Sequence, residues 1–283
     1  MTLLKHFFIN KPAFYLNDKW YVRYLIFIGK ICNNFRFNIT KFENHKSKSI
    51  GIPLFKIRIR QEFVLTTAAY RCSRFLKGFE RAGERMWFRY RALDLIGDCP
   101  VGTVLDIGAN IGEFSYYAFK KVTRNVHAFE PEPNTFTCLM FNLKYTKIKT
   151  YNYALADRTG MLPFYLVPKS ADSSLINSSN TSASMEIQAF KLDDVIETLP
   201  IEGKVLLKMD AEGAEPEVLM GAAETLKRID FAVIDAGAER MDKSTDNDVK
   251  KILLDSGFEV QVFEDGIVHA WRENCRKNEK LRH

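Results

Sequence analysis

A carboxylate, an asparagine and two glycines lie within seven positions of one another, directly after an apolar run. In the segment "VLDIGANIGEF", Asp106 follows the run and is itself followed by Gly108, Asn110 and Gly112. A strand that passes through a glycine-containing turn into a helix is a common place for a nucleotide-like ligand, because the free N–H groups of the helix start attract anionic groups. The segment therefore predicts a ligand-binding turn.

The residues between the glycines narrow the choice of ligand. The dinucleotide fingerprint G-x-G-x-x-G fails, because Asn110 and Glu113 stand at its second and third glycine positions, and the sequence G-K-[ST] of phosphate-binding loops does not occur. The carboxylate of Asp106 would repel a pyrophosphate and attract a cation, by about 4 kcal/mol at about 4 Å near a protein surface. S-adenosylmethionine carries an ammonium and a sulfonium group and no phosphate, so the turn predicts this cofactor.

A second carboxylate follows at a suitable distance. Glu130 ends the next apolar segment, "VHAFEPEP", 24 residues after Asp106. An acidic residue about 20 residues beyond such a turn accepts hydrogen bonds from the two hydroxyls of a ribose. The third strand ends at "YNYALAD", so we expect adenine near residues 152–155. The predicted cofactor-binding residues are Asp106, Gly108, Asn110, Gly112, Glu130 and Ala154.

The elements that must position these residues alternate from residue 103 onward. Apolar strand patterns are followed by amphipathic helix patterns, with Asn134 as the expected N-cap of the second helix and Pro216 in the first turn of a later one. "FEVQVFEDGIVHAW" reads as two strands joined by a turn. We predict an α/β fold, a doubly wound Rossmann-like sheet that is mostly parallel and has an antiparallel strand at its C-terminal edge.

The residues before this unit predict a different organisation. In "EFVLTTAAYRCSRFLKGF" apolar residues recur close to a 3.6-residue period from Phe63, which indicates an amphipathic helix. Gly83 is expected to separate it from a second helix in "ERMWFRYRALDLIG". We therefore divide the chain into a basic, mainly helical extension, residues 1–98, and a methyl-donor-binding domain, residues 99–283. The extension is expected to cap the ligand crevice or to lie beside it.

Charge is distributed unevenly over these two segments. Residues 1–98 contain 19 basic and 7 acidic side chains, the remainder contains 22 and 28, and the net charge of the chain is +6. Such asymmetry can mark a nucleic-acid or anionic-membrane partner. Docking of the basic segment on the acidic domain, or a solvated helix face, explains it as well, and is favoured because no dense Lys/Arg block is present. Nucleic acid is therefore disfavoured, and peripheral membrane contact through the basic region stays open.

Cysteine usage and apolar stretches bear on the compartment. The five cysteines are odd in number and form no C-x-x-C pair, so they predict neither a disulfide framework nor a zinc site. No signal peptide is predicted at the N-terminus. The apolar stretch "WYVRYLIFIGKIC" contains Arg23 and Lys30 and falls short of the roughly 20 residues that span a bilayer. We predict a cytoplasmic protein without a transmembrane segment, and the sequence makes no prediction of oligomeric state.

Six segments occur in the order found in a known family. "VLDIGANIGEF", "AFEPEPNTF", "ALADRTG", "SSL", "KLDDV" and "LLKMDAEGAEPEVLMGA" resemble FkbM-like S-adenosylmethionine-dependent methyltransferases over roughly residues 104–235. The resemblance implies methylation of a hydroxyl oxygen, often on a sugar, a polysaccharide precursor or a polyketide-like metabolite. One residue departs from the family pattern: Asp235 stands where glutamate is common, which shortens the reach of the carboxylate.

The segment "KMDAEGAE" contains the candidate catalytic residues. Transfer of a methyl group to a hydroxyl depends on positioning, and a base that accepts the hydroxyl proton should help. Lys208 and Asp210 share one face of a strand by its period of two, and Glu212 lies in the following turn. Asp210 or Glu212 is expected to accept the proton, and Lys208 to position the acceptor or lower the pKa of a neighbour. Glu215 is as well explained by a first helical turn, where acidic residues complement the dipole.

The family resemblance also nominates a substrate loop. Ser173 and Ser174 in "SADSSL" match the family's loop beside the site and are expected to bind the acceptor or to line its entrance, although a serine-rich segment is as often only a loop. With no third oxygen ligand in "KMDAEGAE", no metal site is predicted.

The sequence leaves three functions open. The first is a methyltransferase that acts on a hydroxyl of a glycan or another small metabolite. The second is an RNA 2′-O-methyltransferase whose basic extension holds phosphates, which strong salt dependence of binding would favour. The third is a non-catalytic module that binds the cofactor and serves in protein interactions.

Overall fold

The alternation of strands and helices after residue 100 forms one seven-stranded sheet. The computed structural model describes residues 37–42, 54–59, 62–67, 74–166, 173–177, 181, 183–238, 240 and 243–275, with the backbone alone for 37–42 and 59. The strands are β1 (Phe37–Phe42), β2 (Leu54–Ile59), β3 (Glu62–Thr66), β4 (Val101–Ile107), β5 (Asn125–Phe129), β6 (Lys149–Tyr151), β7 (Ala154–Leu155), β8 (Gly160–Leu166), β9 (Ala183–Phe190), β10 (Lys204–Met209), β11 (Phe231–Asp235), β12 (Glu259–Val262) and β13 (Ile267–Trp271). The helices are α1 (Phe79–Arg89), α2 (Ala92–Ile96), α3 (Glu113–Lys121), α4 (Pro133–Leu143), α5 (Leu192–Val195), α6 (Glu215–Met220) and α7 (Asp246–Asp255).

The order of strands in the large sheet is β12-β13-β11-β10-β4-β5-β6. The pairs from β11 to β6 are parallel, whereas β13 is antiparallel to both of its neighbours. The predicted doubly wound sheet with an antiparallel C-terminal end is confirmed. Strand order reverses between β4 and β10, so the crevice at their carboxyl ends is the expected ligand position.

The core residues alternate between the two faces of this sheet. Adjacent strand residues point to opposite faces, and helices cover both, as a parallel sheet requires. One face packs on α6 and α7 through the buried residues Leu105, Leu207, Ile234, Val218 and Leu253. The other packs on α1 and α3 through Val104, Leu206, Val233, Trp87 and Phe114.

The described part of the N-terminal extension contains strands as well as helices. Strands β1, β2 and β3 form an antiparallel sheet, so the helix predicted from Phe63 is wrong over residues 62–66; residues 68–73 of that helix lie outside the described part. The adjacent residues Val64 and Leu65 of β3 are both buried. The apolar residues of this strand therefore do not alternate with polar ones, and the period of two that identifies a strand is absent. Asn142 of α4 exchanges hydrogen bonds with the backbone N–H (2.8 Å) and C=O (3.0 Å) of Leu65 and so fixes the sheet against the larger domain.

The second predicted helix of the extension packs on the main domain. Gly83 lies inside α1 rather than before it, and its missing side chain permits close contact with α3: a Cβ there would lie 2.4 Å from the carbonyl oxygen of Glu113. The ring of Trp87 stacks on Phe114 at 4.5 Å, and its Nε1–H donates to the Phe114 carbonyl oxygen at 3.0 Å. The end of α1 is therefore held rigidly beside the sheet.

A small sheet lies beside the large one. The segment predicted as one third strand divides into β6 and β7, and β7 joins β9 and β8 in the order β7-β9-β8. β8 pairs antiparallel with β9. Among the helices of the described residues, none has the length and apolarity needed to cross a membrane.

Candidate active site

The turn after β4 adopts the conformation that its glycines permit. Gly108, Asn110 and Gly112 have φ values of +69°, +52° and +97°, a region that glycine enters freely and asparagine tolerates. Gly108 and Asn110 line a cleft at the carboxyl ends of the strands. Gly112 faces α4 instead, since a Cβ there would lie 2.8 Å from Cδ1 of Leu139.

Glu130 joins the end of β5 to this turn. Its Oε2 accepts a hydrogen bond from the N–H of Asn110 and its Oε1 from that of Glu132, each at 2.9 Å. Burial raises the pKa of Glu130 to about 8. The side chain lines the cleft, and in its ionised form each carboxyl oxygen can accept a further hydrogen bond. Glu130 could therefore hold a vicinal diol.

The N-cap of α4 is Glu132, not Asn134. The carboxylate of Glu132 accepts hydrogen bonds from the N–H groups of Asn134 at 3.0 Å and Thr135 at 2.6 Å. Pro133 then occupies the first helical position, where no N–H is needed. Glu132 also lines the cleft.

Beyond Glu130 the wall of the cleft is mainly apolar. Ala154 and Leu155 of β7 line it together with Tyr153, Phe129 and Val218. In the predicted adenine segment, the side-chain amide of Asn152 instead donates to the carbonyl oxygens of Glu130 and Pro131, each at 3.0 Å. Such a wall could bury the flat face of a base.

The loop after β10 forms the opposite side of the cleft. Asp210 and Glu212 both line it, and Glu212 has a φ of +52°. Oδ2 of Asp210 accepts a hydrogen bond from the hydroxyl of Tyr90 at 2.6 Å. Its Oδ1 is buried and has no hydrogen-bond partner in the described residues. A buried acceptor without a donor costs free energy, so this atom is suited to a donor on a ligand.

Asp106 and Lys208 lie behind the turn and face each other. Oδ1 of Asp106 lies 3.2 Å from Nζ of Lys208, an ion pair without good hydrogen-bond geometry. Its Oδ2 accepts a hydrogen bond from the hydroxyl of Ser115, and Lys208 donates to the carbonyl oxygen of Gly108 at 2.8 Å. Burial opposes the charge of Lys208, but Asp106 and Asp210 outweigh it, so its pKa is raised. The cation beside Asp106 is thus Lys208, and neither side chain is among those that line the cleft.

Glu215 shapes the loop that carries Asp210. Its Oε1 accepts hydrogen bonds from the N–H groups of Ala211 and Gly213, both at 3.0 Å, and its Oε2 accepts one from Thr245 Oγ1 at 2.9 Å. Burial raises its pKa to about 7. Glu215 is not among the residues that line the cleft. Its role is structural, because its hydrogen bonds to the loop N–H groups fix the conformation of the loop.

The two predicted substrate serines have different positions. Ser173 lines the cleft. Ser174 is buried, donates from Oγ to the carbonyl oxygen of Ala211 at 3.2 Å, and pairs through its backbone with Tyr165. Ser174 therefore connects the loop after β10 to β8.

The sequence did not predict three residues at this end of the sheet: Tyr90, Arg89 and Glu132. The hydroxyl of Tyr90 donates a hydrogen bond to Asp210, and Nη2 of Arg89 lies 2.6 Å from Oδ2 of Asp235. Burial and the charge of Asp210 raise the pKa of Asp235. Glu132 is the N-cap of α4 and lines the cleft. Tyr90 precedes Asp210 by 120 residues, and no local spacing in the sequence connects them.

Among the described residues, no group of three or more His, Cys, Asp or Glu side chains is placed to hold a metal ion.

Comparison with known proteins identifies the family. The profile described as "Methyltransferase FkbM domain" matches residues 106–260, more than half of the chain. The chain belongs to the FkbM methyltransferase family. Residues 106–260 are an S-adenosylmethionine-dependent methyltransferase domain of this family.

Two relatives and one solved structure illustrate the similarity. The chain is 29% identical over 159 residues to a hexuronic acid methyltransferase of Haloferax volcanii. The match covers 56% of this chain and 63% of the relative, which is less than two thirds of the relative's length. It is 23% identical over 194 residues to a 2-O-methyltransferase of Sinorhizobium fredii, covering 62% and 79% of the two chains. The magnesium protoporphyrin IX methyltransferase of Synechocystis PCC 6803, solved with bound S-adenosylmethionine, matches 68% of this chain and 81% of its own at 14% identity and a TM-score of 0.41.

The groups around the cleft fit this cofactor. The carboxyl group of Glu130 suits a ribose diol, the wall around Ala154 and Leu155 suits an adenine, and the turn of Gly108 and Asn110 brings backbone to the cleft. When bound, S-adenosylmethionine supplies an electrophilic methyl group.

Proposed function

We propose that this methyltransferase transfers the methyl group to a hydroxyl oxygen of a sugar or glycan. The observation that carries the proposal is the carboxylate of Asp210, which belongs to a residue that lines the cleft and whose buried Oδ1 atom has no hydrogen-bond donor among the described residues. The reaction would break an S–CH₃ bond and form an O–CH₃ bond, while the hydroxyl proton passes to Oδ1 of Asp210. Proton acceptance by a positioned carboxylate contributes typically 10²- to 10⁴-fold.

The residues around the turn divide into two roles in this proposal. Gly108, Asn110, Glu130 and Ala154 would contact the cofactor directly, with Glu130 accepting hydrogen bonds from the ribose. Asp106, Gly112 and Lys208 would act from behind the wall. The hydrogen bond from Lys208 to the Gly108 carbonyl and the ion pair with Asp106 support this division, because they fix the turn on which the cofactor rests.

The acceptor would enter between the loop after β10 and the serine loop. Glu212 and Ser173 line the cleft there and can hydrogen-bond to several hydroxyls, while Ser174 holds the two loops together. A sugar acceptor is supported by the similarity to the hexuronic acid methyltransferase. Transfer to an oxygen is supported by the similarity to the 2-O-methyltransferase.

Radiolabelled methyl transfer tests the acceptor class. The full chain is incubated with S-[methyl-³H]adenosylmethionine and, in separate reactions, with neutral oligosaccharides, with oligosaccharides that contain hexuronic acid, and with transfer RNA. We expect label in a saccharide, stable to mild alkali, because a methyl ether survives conditions that hydrolyse a methyl ester. Alkali-labile label would assign transfer to a carboxylate, and label in RNA alone would assign a nucleic-acid acceptor; either result contradicts the proposal.

Two variants connect the transfer to the site. Asp210→Asn is expected to lose transfer. Asp255→Asn is the matched control, because this carboxylate is exposed at the end of α7 and pairs only locally with Lys251. Equal loss in both variants would mean that the effect is not specific to Asp210.

A further inference from the structure

Tyr90, at the C-terminal end of α1, reaches the loop after β10 from the N-terminal extension. The residue is completely buried, and its hydroxyl donates to Oδ2 of Asp210 at 2.6 Å. A hydrogen bond donated to a carboxylate is short and strong compared with one between neutral groups. Tyr90 thus occupies one oxygen of the carboxylate, and the other, Oδ1, has no hydrogen-bond partner among the described residues.

The position of Tyr90 is fixed by three further contacts. Its ring packs edge-on against Phe114 with centroids 5.8 Å apart. Its carbonyl oxygen lies 2.8 Å from Nε2 of His269, which donates in the tautomer protonated there. Nζ of Lys208 lies 5.5 Å from the ring centroid. A phenol held on these sides has little freedom to leave Asp210.

We infer that Tyr90 is a positioning residue for methyl transfer: its hydroxyl holds Asp210 in the orientation that presents Oδ1 to the acceptor hydroxyl. This inference rests on the proposed function, and it assigns the extension a part in the reaction. Tyr90 acts through Asp210 and is not itself a contact of the acceptor.

The surrounding charges keep the phenol in the donating role. Burial, followed by the charges of Asp210 and Asp235, raises the pKa of Tyr90 well above its usual value. Among the described residues, the charged and titratable groups around Asp210 are Arg89 of α1 and Tyr90 directly after it, Lys208 of β10 with its partner Asp106 of β4, Asp235 of β11, Glu212 of the loop and Glu215 of α6. Arg89 forms an ion pair with Asp235, and Lys208 forms one with Asp106. Among the described residues, the hydroxyl of Tyr90 is therefore the group that donates a hydrogen bond to the carboxylate of Asp210.

Tyr90→Phe tests the inference, because it keeps the ring and removes only the donor. The carboxylate of Asp210 then loses a hydrogen bond that stabilises its charged form, so the acid limb of the kcat profile should move to higher pH. We expect kcat at neutral pH to fall about tenfold with KM for the acceptor unchanged. The control is Tyr145→Phe, a hydroxyl deletion at a side chain that is 91% exposed.

A second substitution covers the case in which Tyr90→Phe does not fold. Incorporation of 3-fluorotyrosine at position 90 preserves the ring and makes the phenol a stronger donor, so the acid limb should move to lower pH. Thermal unfolding and the affinity for S-adenosylhomocysteine, measured on the same samples, report folding and cofactor binding independently of transfer. Both are expected to match the wild type in the fluorinated protein.

The outcomes separate this inference from the proposed function. If the wild type transfers label to a hydroxyl and neither substitution moves the acid limb, Tyr90 is only structural and the inference is wrong. A rise in KM for the acceptor, with kcat and the acid limb unchanged, has the same meaning. If the wild type transfers to no hydroxyl, the proposed function fails first, and the inference falls with it.

Discussion

Gly108 and Asp210 bring the two loops of the cleft into backbone contact. A Cβ on Gly108 would lie 1.8 Å from the carbonyl oxygen of Asp210, and the N–H of Asp210 donates to the carbonyl oxygen of Ile107 at 3.0 Å. The proposed cofactor turn and the proposed catalytic carboxylate are thus parts of one rigid unit. A change at Gly108 should disturb both.

Gly108→Ala is expected to reduce stability and cofactor affinity together. The added Cβ meets backbone that cannot move aside, at a positive φ that costs about 1 kcal/mol or more by itself. Gly160→Ala is the control, since Gly160 also has a positive φ, +149°, but open space around its Cβ. Urea unfolding should show a larger loss for Gly108→Ala; equal losses would mean that the close approach to Asp210 has no energetic role.

Glu130 should make the stability of the cofactor-free protein depend on pH. Its pKa is about 8 when folded, against an ordinary value of 4.5, because burial disfavours the charge. The folded state therefore holds the proton more tightly, and the resulting stabilisation is complete below about pH 4.5 and is lost as pH rises toward 8. Compared with Glu130→Gln, which stays neutral, the wild type should lose roughly 5 °C or more in Tm between pH 5 and 8.

The comparison with Glu130→Gln isolates this one group. Glu215, with a pKa of about 7, titrates in both proteins and cancels from the difference. A Tm difference between the two proteins that stays constant from pH 5 to 8 would contradict the assigned pKa of Glu130.

Glu215→Ala should destabilise the loop after β10 strongly. The substitution leaves the N–H groups of Ala211 and Gly213 and the hydroxyl of Thr245 without their acceptor, so we expect a loss of about 2–4 kcal/mol in the free energy of unfolding. Glu217→Ala removes a partly exposed ion pair with Arg240 and should cost less than about 1 kcal/mol. A similar cost for both variants, measured by urea unfolding, would refute the structural role of Glu215.

The sheet was predictable from the sequence because its signals are local. Apolar strand runs such as that of β4, helix patterns after glycine turns, and Pro216 at the start of α6 each depend on a few adjacent residues. The same locality led to an error at β3, where burial of the adjacent residues Val64 and Leu65 removed the strand period. Periodicity cannot distinguish a doubly buried strand from a helix.

The contacts within the site were less predictable because they join distant parts of the chain. The sequence nominates Asp106 for binding the cofactor and Lys208 for positioning the acceptor or lowering the pKa of a neighbour, but only the fold brings the two side chains 3.2 Å apart and away from the cleft wall. In the same way, the hydrogen bond from Tyr90 to Asp210 depends on the docking of α1 against α3. No spacing rule covers such pairs.

Asp210→Asn is the most direct test of the central claim that this carboxylate accepts the proton of a hydroxyl. The amide keeps the size of the side chain and removes the base, so kcat for methyl transfer should fall at least about 100-fold. The Kd for S-adenosylhomocysteine, measured by calorimetry on the same protein, should stay within about threefold of the wild-type value. An Asp210→Asn enzyme that binds S-adenosylhomocysteine normally and transfers methyl groups at the wild-type rate would contradict the claim.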